Sequence, residues 1–179
     1  MKISKNIILV GSMGAGKTTV GRQLAGKLGY EFVDCDAELE ARTGVDIATI
    51  FDIEGEAGFR KREAALLQEL LQLKHAVVAT GGGAILAAEN RLGIRRSGIV
   101  VYLETTVAQQ LERLRMDKKR PLLSGSDREE ILTEMYRERD PIYRSLADVS
   151  VTSGQGSSAY MSKRILEAIS QYLAEASLS

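Results

Sequence analysis

Gly11-Ser12-Met13-Gly14-Ala15-Gly16-Lys17-Thr18 matches the pattern G-x-x-x-x-G-K-[ST]. Its glycines let the backbone wrap a phosphate with amide N–H groups pointing inward. A helix starting near Lys17 adds its positive N-terminal end. Lys17 can reach the β- and γ-phosphates of a nucleotide, and the Thr18 hydroxyl can ligate Mg2+. A Gly-rich turn that binds nothing is the rival reading. The strand before the motif and the helix after it favour the phosphate.

Asp34 and Asp36 flank Cys35. In an extended segment they share a face, and two adjacent carboxylates resist joint ionisation without a cation or donors. A Mg2+ shell could compensate one and a hydroxyl-bearing substrate the other. Asp36 as the N-cap of a following helix is an equal alternative. Arg60 and Glu63 stand three apart on a helix and can pair. By pattern alone, a surface ion pair is the better reading. Gly81-Gly82-Gly83 closes a strand and leaves backbone open to a ligand.

Arg113, Arg115, Lys118, Lys119 and Arg120 precede Pro121 and a polar segment suited to a mobile lid at 117–128. Such a run is usually a solvated face, but an arginine on a lid can stabilise transferred charge. Pro141 is expected to stop a helix and leave Arg139 at its end. His75 reads as a surface residue without a nearby partner. Cys35 reads as a small strand filler, and its place between two acids makes it a candidate for chemical modification.

These residues need elements to hold them. Apolar runs predict strands at 6–10, 31–33, 76–79, 99–103 and 148–151. Helical spacing predicts helices at 18–28, 37–42, 46–51, 55–73, 107–116 and 161–173, with Gly29 and Gly44 as stops. Alternating strands and helices imply an α/β fold with a parallel sheet, ligand bound beyond the strands' carboxyl ends.

Composition narrows the classes. The 179 residues carry 24 Lys plus Arg and 24 Asp plus Glu, so the formal net charge is zero. That balance gives no general pull toward nucleic acid or anionic membrane, and neither is expected as a partner. No apolar run approaches the ~18 residues of a membrane span. The apolar stretch 7–10 is too short for a secretory signal. One cysteine and one histidine exclude an internal disulfide framework and a Cys/His zinc site. A single domain over 1–179 in the cytoplasm is expected.

The motifs together resemble shikimate kinase. They are GSMGAGKT at 11–18, DCD at 34–36, GFRKRE at 58–63, GGG at 81–83, DKKRPLL at 117–123 and ERDPIY at 138–143. The resemblance runs in order from 6 to about 151. It implies a nucleoside-monophosphate-kinase-like three-layer fold with a five-stranded parallel sheet in the order 2-3-1-4-5. It also implies a monomer and transfer of the ATP γ-phosphoryl group to the 3-hydroxyl of shikimate, on the route to chorismate and the aromatic amino acids.

By that resemblance Asp36, Arg60, Gly82 and Arg139 bind shikimate. Gly14, Ala15, Gly16, Lys17, Thr18 and Thr19 bind the phosphates of ATP. Thr18 ligates Mg2+, and Asp34 supports the ion through water. Lys17, Asp36 and Arg120 carry the chemistry, and Arg113 stacks near adenine. A last adenine contact falls near Gln155 and Gly156. The alternatives are another small-molecule kinase on the same scaffold, such as gluconate kinase, and a non-catalytic nucleotide-binding module.

Overall fold

Five strands, β1 (Asn6–Val10), β2 (Glu31–Asp34), β3 (Ala76–Ala79), β4 (Gly98–Glu104) and β5 (Val149–Thr152), form one sheet in a computed structural model that describes residues 3–115, 127–154 and 156–178. The order is β2-β3-β1-β4-β5 and every neighbouring pair is parallel. Both the order and the parallel sense match the expectation from the family resemblance.

Side chains alternate across the sheet, so the central strands feed two cores. Ile8, Val10, Val78, Val100 and Tyr102 face one side. They pack against α2 (Cys35–Thr43), α3 (Ile47–Leu70), α4 (Ala88–Ser97) and α6 (Arg128–Leu146). Ile7, Leu9, Val77, Ile99 and Val101 face the other, against α1 (Lys17–Leu28) and α7 (Ser158–Ala176). Burial on both faces explains why β1, β3 and β4 read as unbroken apolar runs. A short α5 (Val107–Leu114) packs on α6 through Leu114 and Leu132.

Several expectations are corrected. The break expected between helices at 46–51 and 55–73 is present, since Gly55 inside α3 is non-helical at φ 69° and ψ −178°, but the second stretch ends at Leu70 rather than 73. Pro141 does not stop a helix, for α6 continues through it to Leu146. Contacts beyond the proline hold the last turn. Tyr143 stacks on Tyr102 at 4.9 Å, and Arg144 pairs with Asp140 and Glu104 at 2.8 and 2.7 Å. Arg139 therefore lies inside a helix rather than at its end. Cys35 opens α2 instead of filling a strand. Its thiol is buried, and burial, then Asp36 and Asp34, push its pKa up, which disfavours the reactive thiolate. His75 is exposed as expected but has a partner, since its ring meets Tyr30 edge-on at 5.4 Å. Helix α4 went unassigned in the sequence. Arg120, Gln155 and residues 117–126 of the expected lid lie outside the described residues.

Candidate active site

The P-loop leaves β1 at Val10 and enters α1 at Lys17. Gly14 and Gly16 take φ of 77° and 92°, the left-handed region that glycine adopts without strain. No side chain caps the start of α1 and no acid lies in its first turn. Its positive end is therefore suited to an anion. Lys17 Nζ donates to the carbonyls of Gly11 at 2.7 Å and Ser12 at 3.0 Å, which arches the lysine over the loop.

Thr18 Oγ1 donates to Asp34 Oδ2 at 2.5 Å, joining α1 to the end of β2. The other Asp34 oxygen accepts from the backbone N–H of Asp36 at 3.0 Å and Ala37 at 3.2 Å. Asp34, not Asp36, is thus the N-cap of α2. The chain turns helical between the two acids, so the strand geometry expected for them does not hold. Both still line the same cavity, because Asp36 follows in the first turn of α2. The hydroxyl–carboxylate pair suits Mg2+, a hard ion that keeps waters and takes its remaining ligands from phosphates. Among the described residues no cluster of three or more His, Cys, Asp or Glu could hold a metal by itself.

The cavity has a volume of about 450 Å3. The P-loop and α1 line one side with Gly14, Gly16, Lys17, Thr18 and Thr19. Asp34 and Asp36 come from the β2–α2 junction, Arg60 and Glu63 from α3, Gly82 from the loop after β3, and Arg139 from α6. Two expected residues stand apart. Ala15 is buried in the core. Arg113 lies behind the loop, donating to Gly14 O and Ser153 Oγ at 2.8 Å each.

Arg60 and Glu63 are not the surface pair that their spacing suggested. Arg60 Nη1 donates to Glu63 Oε2 at 2.8 Å, and Glu63 is 3% exposed. Burial raises the Glu63 pKa, outweighing the opposing pull of Arg60. Glu63 Oε1 has no hydrogen-bond partner. The guanidinium also meets Glu56 Oε1 at 3.2 Å and lies over the Phe59 ring at 5.1 Å.

The glycine triplet is fitted around these groups. A Cβ on Gly83 would lie 2.3–2.5 Å from the Arg60 guanidinium, and one on Gly81 would lie 2.3 Å from Glu63 Oε1. Arg139 is 6% exposed, and its Nε has no hydrogen-bond partner, with Glu138 at 3.8 Å. The guanidinium also hydrogen-bonds the Tyr143 side chain and acts on the Glu63 charge, and a buried cation lining the cavity with its Nε unpaired is suited to an anionic ligand. Tyr143, one helical turn after Arg139, donates from its hydroxyl to Gly82 O at 2.5 Å. Tyr143 closes the ERDPIY motif, which alone gives it no role; its four-residue spacing from Arg139 is the signal in the sequence.

A family model described as shikimate kinase matches residues 13–170. The chain belongs to the shikimate kinase family. The shikimate kinase of Halorhodospira halophila is 55% identical over 163 residues, covering 91% of this chain and 92% of its own. A shikimate kinase from Acinetobacter baumannii, solved in complex with shikimate, is 49% identical with a TM-score of 0.93 and 95% of each chain covered. A gluconokinase from Sinorhizobium meliloti shares only the fold, at 19% identity and a TM-score of 0.57 over 97% of this chain and 99% of its own. Membership in the shikimate kinase family agrees with the cavity's two-sided character, a phosphate loop facing two arginines and an aspartate.

Proposed function

We propose that this protein transfers the γ-phosphoryl group of ATP to the 3-hydroxyl of shikimate, giving shikimate 3-phosphate and ADP. The observation that carries the reading is one cavity holding Lys17 and Thr18 of the P-loop together with Asp36, Arg60 and Arg139. Phosphoryl transfer needs alignment and charge neutralisation more than covalent help. A site with two separate binding walls supplies alignment.

On the acceptor side, Arg60 and Arg139 hold the shikimate carboxylate, since a guanidinium fork matches a carboxylate. Glu63 and the packing against Gly83 fix where the Arg60 fork points. Asp36 accepts hydrogen bonds from the ring hydroxyls, turning the attacking oxygen toward the phosphate and standing ready to take its proton. Gly82 presents its backbone to the ring, with its carbonyl secured by Tyr143.

On the nucleotide side, Gly14 to Thr19 cradle the phosphates and Lys17 neutralises the β- and γ-phosphate charge. Thr18, with Asp34 acting through water, holds Mg2+, which neutralises phosphate charge when bound. The family resemblance assigns Arg120 to the transferred group and Arg113 to the adenine. No helix among the described residues is long and apolar enough to cross a membrane. We place the protein in the cytoplasm as a monomer, with no nucleic-acid or membrane partner.

The test is product identity. The protein is incubated with Mg2+ and ATP and with shikimate or gluconate, and the phosphate ester is followed by 31P and 1H NMR. The reading expects an ester at the shikimate 3-oxygen. Esterification of gluconate but not shikimate overturns it.

A further inference from the structure

The P-loop is gripped from behind by side chains that do not line the cavity. Gln110 Nε2, on α5, donates to Met13 O at 2.9 Å. Ser153 Oγ, just after β5, donates to Ala15 O at 3.0 Å. Arg113 donates to Gly14 O and to the same Ser153 hydroxyl, both at 2.8 Å. Three successive carbonyls of the loop are thus held by side chains from two other elements.

The consequence follows from peptide geometry. In a planar trans peptide the C=O and the following N–H point in opposite directions. Holding Met13 O against Gln110 aims the Gly14 N–H the other way, and holding Ala15 O against Ser153 does the same for the Gly16 N–H. Gly14 and Gly16 line the cavity, and Ala15 between them does not. The Ala15 N–H is instead used within the loop, donating to Ser12 O at 3.2 Å. Of the three held peptides, the two outer ones place their N–H groups on residues that line the cavity.

A second observation separates this from ordinary packing. Gln110 is 2% exposed, and its Oε1 has no hydrogen-bond partner. A half-satisfied buried amide costs stability, and an apolar residue of similar length would avoid that cost. Its one bond goes to the P-loop. Ser153, at 4% exposure, likewise spends its hydroxyl proton on the loop.

We infer that Gln110 and Ser153 are positioning residues that preset the P-loop for a nucleotide diphosphate moiety by fixing the Gly14 and Gly16 peptides. This rests on the phosphate-binding half of the proposed function and is independent of the acceptor. Preorganised donors bind better than donors that must be ordered on binding.

The variants are Gln110→Met and Ser153→Ala. Each is measured for ADP affinity by titration calorimetry, shikimate affinity without nucleotide, KM for ATP, kcat and apo melting temperature. Losing one such hydrogen bond predicts an ADP affinity about 3- to 10-fold weaker and a matching rise in KM for ATP. Shikimate affinity should stay within about twofold, and kcat should fall less than KM rises. The apo Gln110→Met protein should melt close to the parent, because the orphaned amide oxygen is lost together with the donor to Met13 O. Gln110→Glu, which keeps the shape and loses the donor, should not restore ADP binding. ADP affinity unchanged in both variants overturns the inference, as does a parallel loss of ADP affinity, shikimate affinity and melting temperature. If Gln110→Met does not fold, Ser153→Ala decides by the same criteria. A parent protein that binds ADP but leaves shikimate unphosphorylated refutes the proposed acceptor and leaves this test intact.

Discussion

Glu63 holds Arg60 across one turn of α3, carboxylate to guanidinium at 2.8 Å, with the acid 3% exposed. The acid is buried deeper than the base, whose side chain is 24% exposed. The pair therefore works as an anchored arm, with the fixed end at Glu63 and the working end toward the cavity. The second Glu63 oxygen points to Gly81, and Arg60 lies against Gly83, so the glycine triplet acts as a fitted floor.

Arg60→Ala should weaken shikimate binding by roughly 10- to 150-fold, the worth of about 1.5–3 kcal/mol for a charge-assisted bond. Arg60→Lys should recover only part, because an ammonium makes no fork. A shikimate analogue with the carboxylate reduced to an alcohol should bind the parent poorly and hardly notice Arg60→Ala. Titration calorimetry of acid and alcohol against both proteins checks this. Equal losses for the two ligands contradict the carboxylate role.

Gly83→Ala probes the same arm from the other side. The new methyl would displace the flexible Arg60 guanidinium rather than backbone. Shikimate affinity should fall by about tenfold, as for a lost charge-assisted bond, while ADP affinity holds. A thermal melt should show a loss of no more than about 1 kcal/mol, the scale of a typical single substitution. Unchanged shikimate affinity would show that Arg60 need not sit where Gly83 leaves room.

Glu63 gives a stability signature in pH. Burial raises its folded pKa above the unfolded value near 4.3. A raised acid binds more protons folded than unfolded, so its stabilisation is complete below about pH 4.3 and fades as pH rises through the folded pKa. The stability of the parent relative to Glu63→Gln should therefore decline as pH climbs from about 4 toward neutrality. Denaturant melts of both proteins across that window measure it. A parent that gains relative stability with rising pH would mean that Arg60 outweighs burial.

Lys17→Ala should lower kcat by about 100- to 1,000-fold or more, the scale for removing one preorganised charge stabiliser. Far-UV circular dichroism should match the parent, since the lysine contacts loop carbonyls rather than the core. A folded variant with normal turnover contradicts the P-loop assignment.

The central strands β1, β3 and β4 were legible because they are buried on both faces, which writes them as apolar runs such as 6–10 and 76–79. Helix α4 was not, for Ile94 is its one buried large apolar residue while Leu92 is exposed, so its few apolar residues mark no inward face. Pro141 misled because proline normally breaks helices, and here tertiary contacts of Tyr143 and Arg144 outweigh the local rule. In the site, the P-loop run with Lys17 and Thr18 was legible from its spacing, whereas Asp34 as the cap of α2 was not, because the spacing pointed as readily to Asp36. The burial of Glu63 could not, because an i,i+3 pair looks the same on a surface as beneath a glycine floor. Gln110 and Ser153 left no local pattern, since their partners lie 97 and 138 residues away.

Whether shikimate is the acceptor is measured most directly by ADP release from the purified protein with Mg2+ and ATP, with and without shikimate. Release should saturate with shikimate and nearly vanish without it, because the acceptor must occupy the wall formed by Asp36, Arg60 and Arg139 before the phosphate has a partner. Release at the same rate whether shikimate is present or absent would contradict shikimate as the acceptor.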